Sequence, residues 1–73
     1  MKIGEFSKMC EISKDTVRYY VNIGLLVPKM KDGTMDFTDR EIQDYLFIRR
    51  WKSMQFSIQE IKAFLYLRRI SNM

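Results

Sequence analysis

Seventy-three residues make one small domain, and a chain of that length buries only about 60% of the surface it exposes when unfolded. An apolar share of 47%, with 14% aromatic residues, fits a packed globule and excludes a disordered chain. Thirteen Lys and Arg against nine Asp and Glu leave a net charge of +4, which permits a polyanion partner without demanding one.

The inventory argues against catalysis. There is no histidine, so the usual general base and the commonest metal ligand are both missing. Cys10 is the single cysteine; it forms no internal disulfide and has no His partner to activate it. Carboxylates are scattered, and no glycine-rich phosphate cradle is present. No catalytic residue, cofactor or metal site is expected. Without a leader or a run of spanning length, a cytoplasmic protein with no membrane contact is expected.

In chain order, Lys2 to Met9 reads as a first helix, with Ile3, Phe6 and Cys10 on one face and small Ser7 allowing close approach. Cys10 reads as a buried small hydrophobe. Glu11 and Ile12 form a short link to a second helix, about residues 14–23, that has clear ends. Ser13 suits the N-cap, Asp15 the positive end of the helix dipole, and Gly24 the left-handed residue past the C-terminus. Val17, Tyr20 and Val21 form its apolar face, which leaves Lys14, Arg18, Tyr19 and Asn22 on others. Basic and amide side chains beside an aromatic suit a major groove. Taken alone, the helix equally fits a solvated face with a half-buried tyrosine, and the helix pair equally fits any αα-hairpin.

Leu25-Leu26-Val27-Pro28 follows as an apolar plug, and Asp32-Gly33 then marks a hairpin over about residues 28–37. Met30, Met35 and Phe37 are its candidate inward positions. A hairpin joined to a helix-turn-helix is a wing, and Lys29 and Lys31 on it suit phosphates, although two solvated lysines in a turn fit as well. Phe37-Thr38-Asp39-Arg40-Glu41-Ile42 holds a capping box, Thr38 with Glu41, inside a hydrophobic staple, Phe37 with Ile42. It opens a helix over about residues 39–54, with Ile42, Tyr45, Ile48 and Trp51 along one side and Arg49 and Lys52 on another. A second box, Ser57 with Glu60, and its staple, Phe56 with Ile61, open a last helix over about residues 58–70. Ile58, Ile61, Phe64 and Leu65 form its core stripe, while Leu67 and Ile70 continue past it as a possible seam for another helix.

The fold class expected is mainly α with a small β-hairpin, a winged helix-turn-helix with two further helices in one domain, 1–73. Met1-Lys2-Ile3-Gly4-Glu5-Phe6-Ser7-Lys8, Ser13-Lys14-Asp15-Thr16-Val17-Arg18-Tyr19-Tyr20 and Gly24-Leu25-Leu26-Val27-Pro28 resemble the N-terminal DNA-binding domain of MerR-family transcription regulators. The likeness runs on through Phe47-Ile48-Arg49-Arg50 and Phe56-Ser57-Ile58-Gln59-Glu60-Ile61 and covers almost the whole chain.

That resemblance implies the following roles. Arg18 and Tyr19 approach bases and the adjacent backbone, and Ser13, Lys14, Thr16 and Tyr20 hold or support the helix at phosphates. Arg49 and Lys52 touch the flanking backbone. Family members bind pseudo-palindromic promoters in double-stranded DNA as homodimers and distort them, acting on RNA polymerase indirectly. The chain departs from the pattern at several points. Val21 stands where an acidic residue is usual, Gly33-Thr34-Met35 replaces Gly-Tyr-Arg in the wing, and Glu11 and Gln55 occupy turn positions where glycine is favoured. The long dimerisation helix and any effector domain are not in the sequence. Two other readings stay open: a small excisionase-like architectural DNA binder, and a protein-interaction module that has lost DNA binding.

Overall fold

The computed structural model describes residues 1–71, so Asn72 and Met73, the end of the expected domain, lie outside the described residues. The elements run α1 (Ile3–Cys10), α2 (Lys14–Asn22), β1 (Lys29–Lys31), β2 (Thr34–Asp36), α3 (Asp39–Ser53) and α4 (Ile58–Ser71). The chain therefore has the expected winged helix-turn-helix architecture, four helices and one antiparallel hairpin. α1 is set one residue later than Lys2 to Met9, because Lys2 is its N-cap and Cys10 its last residue.

Local chemistry explains the helix ends. Ser13 Oγ accepts from Thr16 N at 3.1 Å, capping α2. At α3, Glu41 Oε1 accepts from Thr38 N at 2.8 Å while Thr38 Oγ1 accepts from Arg40 N at 3.3 Å. Ahead of α4 the exchange is reciprocal between two residues: Ser57 N donates to Glu60 Oε1 at 3.0 Å and Glu60 N to Ser57 Oγ at 3.1 Å. The first three helices stop in one way. Each has a left-handed residue, Glu11 (φ 58°), Gly24 (φ 82°) or Gln55 (φ 65°). Each then has an apolar residue whose N–H reaches back five positions: Ile12 to Ser7, Leu25 to Tyr20 and Phe56 to Trp51. This is the Schellman ending, in which that apolar residue also turns inward.

The core draws on all four helices and on Leu25, Leu26 and Phe37 between them. Phe6, Val17, Leu25, Phe37, Ile48, Ile61 and Leu65 are fully buried. Each such side chain is worth about 1.5–3 kcal/mol relative to exposure. Phe37, just past the hairpin, stacks on Phe6 of α1 with ring centroids 4.5 Å apart. Phe47, Trp51, Phe56 and Phe64 pack ring against ring between α3 and α4.

Two expected inward residues are exposed. Val27 leaves the apolar plug and Met30 faces solvent on β1. Val27 precedes the hairpin, and Met30 shares a face with its cross-strand partner Met35 but lies on β1, all of whose residues are exposed, whereas Met35 and Phe37 pack on the body.

One part of the scaffold has no local sequence signature. Asp44, buried on α3, accepts from Arg68 at 2.7 Å and from Arg69 at 3.2 Å. The same Arg69 Nη2 donates to the Leu25 carbonyl at 2.8 Å. The end of α4 is thereby tied both to α3 and to the segment leaving α2. Both guanidinium groups keep some solvent contact, so screening moderates the gain, but the carboxylate is left costly to strand.

Glu11 and Gln55 hold left-handed backbone without glycine, at a cost of about 1 kcal/mol each. Glu11→Gly and Gln55→Gly should each raise the thermal midpoint by roughly 4–8 °C, less what the added freedom of the unfolded chain removes. Calorimetric melting checks this, and an unchanged or lowered midpoint in both variants contradicts it.

Candidate nucleic-acid interface

α2 presents its outer side because its inner side is used up. Val17 is fully buried and Tyr20 is 4% exposed, beneath a helix whose other residues are mostly open. Arg18 stands exposed, and Tyr19 is 51% exposed with its ring centroid 6.0 Å from that of Tyr20. Arg18 Nη1 donates to Asp15 Oδ1 at 3.3 Å, a long contact between solvated groups that holds the guanidinium only weakly. Ser13 and Thr16 bond each other through their hydroxyls at 2.9 Å, so both are engaged in the cap. Lys14 is exposed, and its Cε and Nζ lie alongside Gly4, where a side chain would meet them at 3.5 and 3.7 Å.

The second cluster of expected residues joins the first through one contact. Lys52 Nζ donates to the Tyr20 hydroxyl at 3.2 Å and lies 5.7 Å from the centre of that ring. An exposed lysine of α3 is thus fixed to α2, and Tyr20 keeps its ring in the core with only its hydroxyl committed outward. Arg49, one turn earlier on α3, is exposed.

The wing lysines form a separate group. Lys29 and Lys31 are two apart on β1, so they share a side of the strand, and both are exposed. The turn between the strands has Asp32 at φ 52° and Gly33 at φ 77°, the two positive values that a tight twisted hairpin needs. Lys29 pairs in register with Asp36 and Lys31 with Thr34.

The base of the wing is held by the start of the chain, which sequence reasoning did not foresee. The Met1 ammonium donates to Asp36 Oδ1 at 2.9 Å and to the Phe37 carbonyl at 2.6 Å, while Phe37 N donates to the Met1 carbonyl at 2.7 Å. The ammonium, by hydrogen bond and charge, holds the Asp36 carboxyl below its ordinary value, with Lys31 and Lys29 adding to the effect. Cys10 is buried, and that burial pushes its thiol up. Burial also raises the Tyr45 phenol.

With this geometry, residues 1–67 match the family described as MerR HTH family regulatory protein. The chain belongs to the MerR family. It is 37% identical over 56 residues to the HTH-type transcriptional regulator HmrR of Sinorhizobium medicae (strain WSM419), covering 74% of this chain and 38% of that protein. Its fold superposes on the transcription regulator PbrR691 from Ralstonia metallidurans CH34, a structure in complex with lead(II). The TM-score is 0.90 at 32% identity, over 100% of this chain and 58% of that one. The chain thus spans less than two thirds of the length of either relative. Among the described residues, no group of three or more His, Cys, Asp or Glu is placed to hold a metal, and no helix is long and apolar enough to cross a membrane.

Asp36 makes stability at this joint depend on pH. Its folded value is depressed, so its contribution is fully present above the ordinary carboxylate value of about 3.9. The contribution disappears as pH falls through the lower folded value. Urea midpoints measured from pH 5 to pH 2 should fall less steeply for Asp36→Asn than for the unsubstituted protein. Parallel curves would contradict the ion pair.

Proposed function

We propose that this domain binds double-stranded DNA sequence-specifically as the DNA-reading part of a cytoplasmic MerR-like transcription regulator. α2 enters the major groove and the hairpin lies on the backbone. The observation that carries this reading is the outer face of α2, where exposed Arg18 and Tyr19 stand over a buried Val17 and Tyr20. Arg18 approaches base edges, to which a guanidinium donates in pairs, and Tyr19 meets bases and the adjacent backbone. Ser13, Lys14 and Thr16 position the start of the helix at phosphates. Lys29 and Lys31 on the wing and Arg49 on α3 supply charge along the backbone on either side. Tyr20 serves from beneath, its hydroxyl holding Lys52 where it meets a phosphate.

One chain carries one recognition helix, so reading a pseudo-palindromic promoter calls for a homodimer. We place the dimer contacts in the longer protein of which the relatives give the measure. Distortion of the promoter then acts on RNA polymerase through the DNA.

The test is fluorescence anisotropy on a duplex enriched from a random library and on an unselected duplex, across a salt series. Arg18→Ala should weaken the enriched duplex by about 1–3 kcal/mol and the unselected one far less. Lys52→Ala should weaken both about equally and lower the salt slope by about one unit. Equal loss on both duplexes for Arg18→Ala contradicts a base-reading role, and an unchanged salt slope for Lys52→Ala contradicts its phosphate contact.

A further inference from the structure

Four of the nine carboxylates of this basic domain hold the fold together. Glu41 and Glu60 close capping boxes, Asp44 holds two arginines, and Asp36 holds the chain's own ammonium. Glu5 and Asp39 sit in first turns, while Glu11 and Asp32 occupy left-handed positions at a helix end and a hairpin turn. Asp15 differs. Its side chain is 96% exposed, and its one polar contact among the described residues is the long bond from Arg18.

Its position on the helix sharpens the contrast. At about 100° per residue, Asp15 and Asn22 lie within roughly 10° of the direction opposite the buried Val17–Tyr20 edge, with Arg18 and Tyr19 to either side. Asp15 therefore points more directly outward than the arginine beside it. A carboxylate on that line is repelled by every phosphate it passes, and Ser13 already caps the helix. Such a charge is tolerable in a major groove only where it meets a donor. The base edges there offer two, the exocyclic amines of cytosine and adenine, and adenine sets its N7 acceptor beside the amine, which a carboxylate disfavours.

Resting on the reading that α2 lies in the major groove, we infer that Asp15 is a specificity-determining residue that accepts a hydrogen bond from the N4 amine of a cytosine. This cytosine lies next to, or one step from, the guanine that Arg18 holds. The spacing agrees: three residues of helix rise about 4.5 Å, against about 3.4 Å per base step. In the free protein the same carboxylate is in weak, solvated contact with Arg18. On the correct sequence each group exchanges its neighbour for a base, and on a wrong one Asp15 faces an acceptor with nothing to donate.

The 73-residue protein, Asp15→Asn and Asp15→Ala are each carried through selection from a random-sequence duplex library at low salt, with thermal melts alongside. The unsubstituted protein should enrich a motif containing guanine and a nearby cytosine. Asp15→Asn should move the cytosine preference to adenine by about tenfold, because an amide donates to N7 and accepts from N6. Asp15→Ala should lose preference at that position, keep the guanine, and bind unselected duplex more tightly. The same motif from all three proteins overturns the inference alone, even where melting midpoints differ, since a helix-end charge moves stability and not base choice. An unsubstituted protein that enriches no motif overturns the DNA-reading proposal and this inference with it.

Discussion

The whole arrangement hangs on the inner edge of one nine-residue helix. Val17 and Tyr20 are committed to the core, and the Schellman ending after Asn22 drives Leu25 and Leu26 in behind them. With that edge buried, the rotation of α2 about its axis is no longer free. Turning it far enough to hide Arg18 would bring Val17 and Tyr20 out, at about 1.5–3 kcal/mol for each. The outward display of Asp15, Arg18, Tyr19 and Asn22 is therefore a consequence of packing and not of any preference those residues have.

The remaining elements act on α2 from behind and from the side. α1 supplies Phe6, and Phe37 from the foot of the hairpin stacks on it, so the wing is referred to the same core as the helix. α4 reaches the far end through Arg69, which touches the carbonyl of Leu25 while sharing Asp44 with Arg68. α3 adds Lys52 on the Tyr20 hydroxyl, a bond that gives a buried ring a polar partner and an exposed ammonium a defined place. A domain this small has little stability to spare, so a tied α4 and a pinned wing matter more than they would in a larger body.

How much of this could be read from the chain follows the range of each interaction. Thr38 with Glu41, Ser57 with Glu60, and the Asp32-Gly33 turn involve residues within four positions of each other, and each stands in the structure as its spacing indicates. Gly24 marks its helix end, but Glu11 and Gln55 do the same work without the residue that normally signals it. Asp44 with Arg68 and Arg69 joins residues 24 and 25 apart, Lys52 with Tyr20 spans 32, and the Met1 ammonium with Asp36 spans 35, and none of these carries a local pattern. Val27 and Met30 look like core by composition, yet both are exposed, Val27 on the link into the hairpin and Met30 on the wholly exposed strand β1. The family motif around Arg18 and Tyr19 was legible, and so was the apolar edge of Val17 and Tyr20, from which the outward direction of Asp15 follows at helical spacing.

The outward face of α2 is most directly tested by two-dimensional NMR of the labelled protein titrated with duplex DNA enriched from a random library. The account predicts that shifts concentrate on Asp15, Arg18, Tyr19 and Asn22, with smaller ones at Lys29, Lys31, Arg49 and Lys52, while the exposed Leu67 and Ile70 of α4 stay still. Shifts centred on α4, with α2 unmoved, would contradict it.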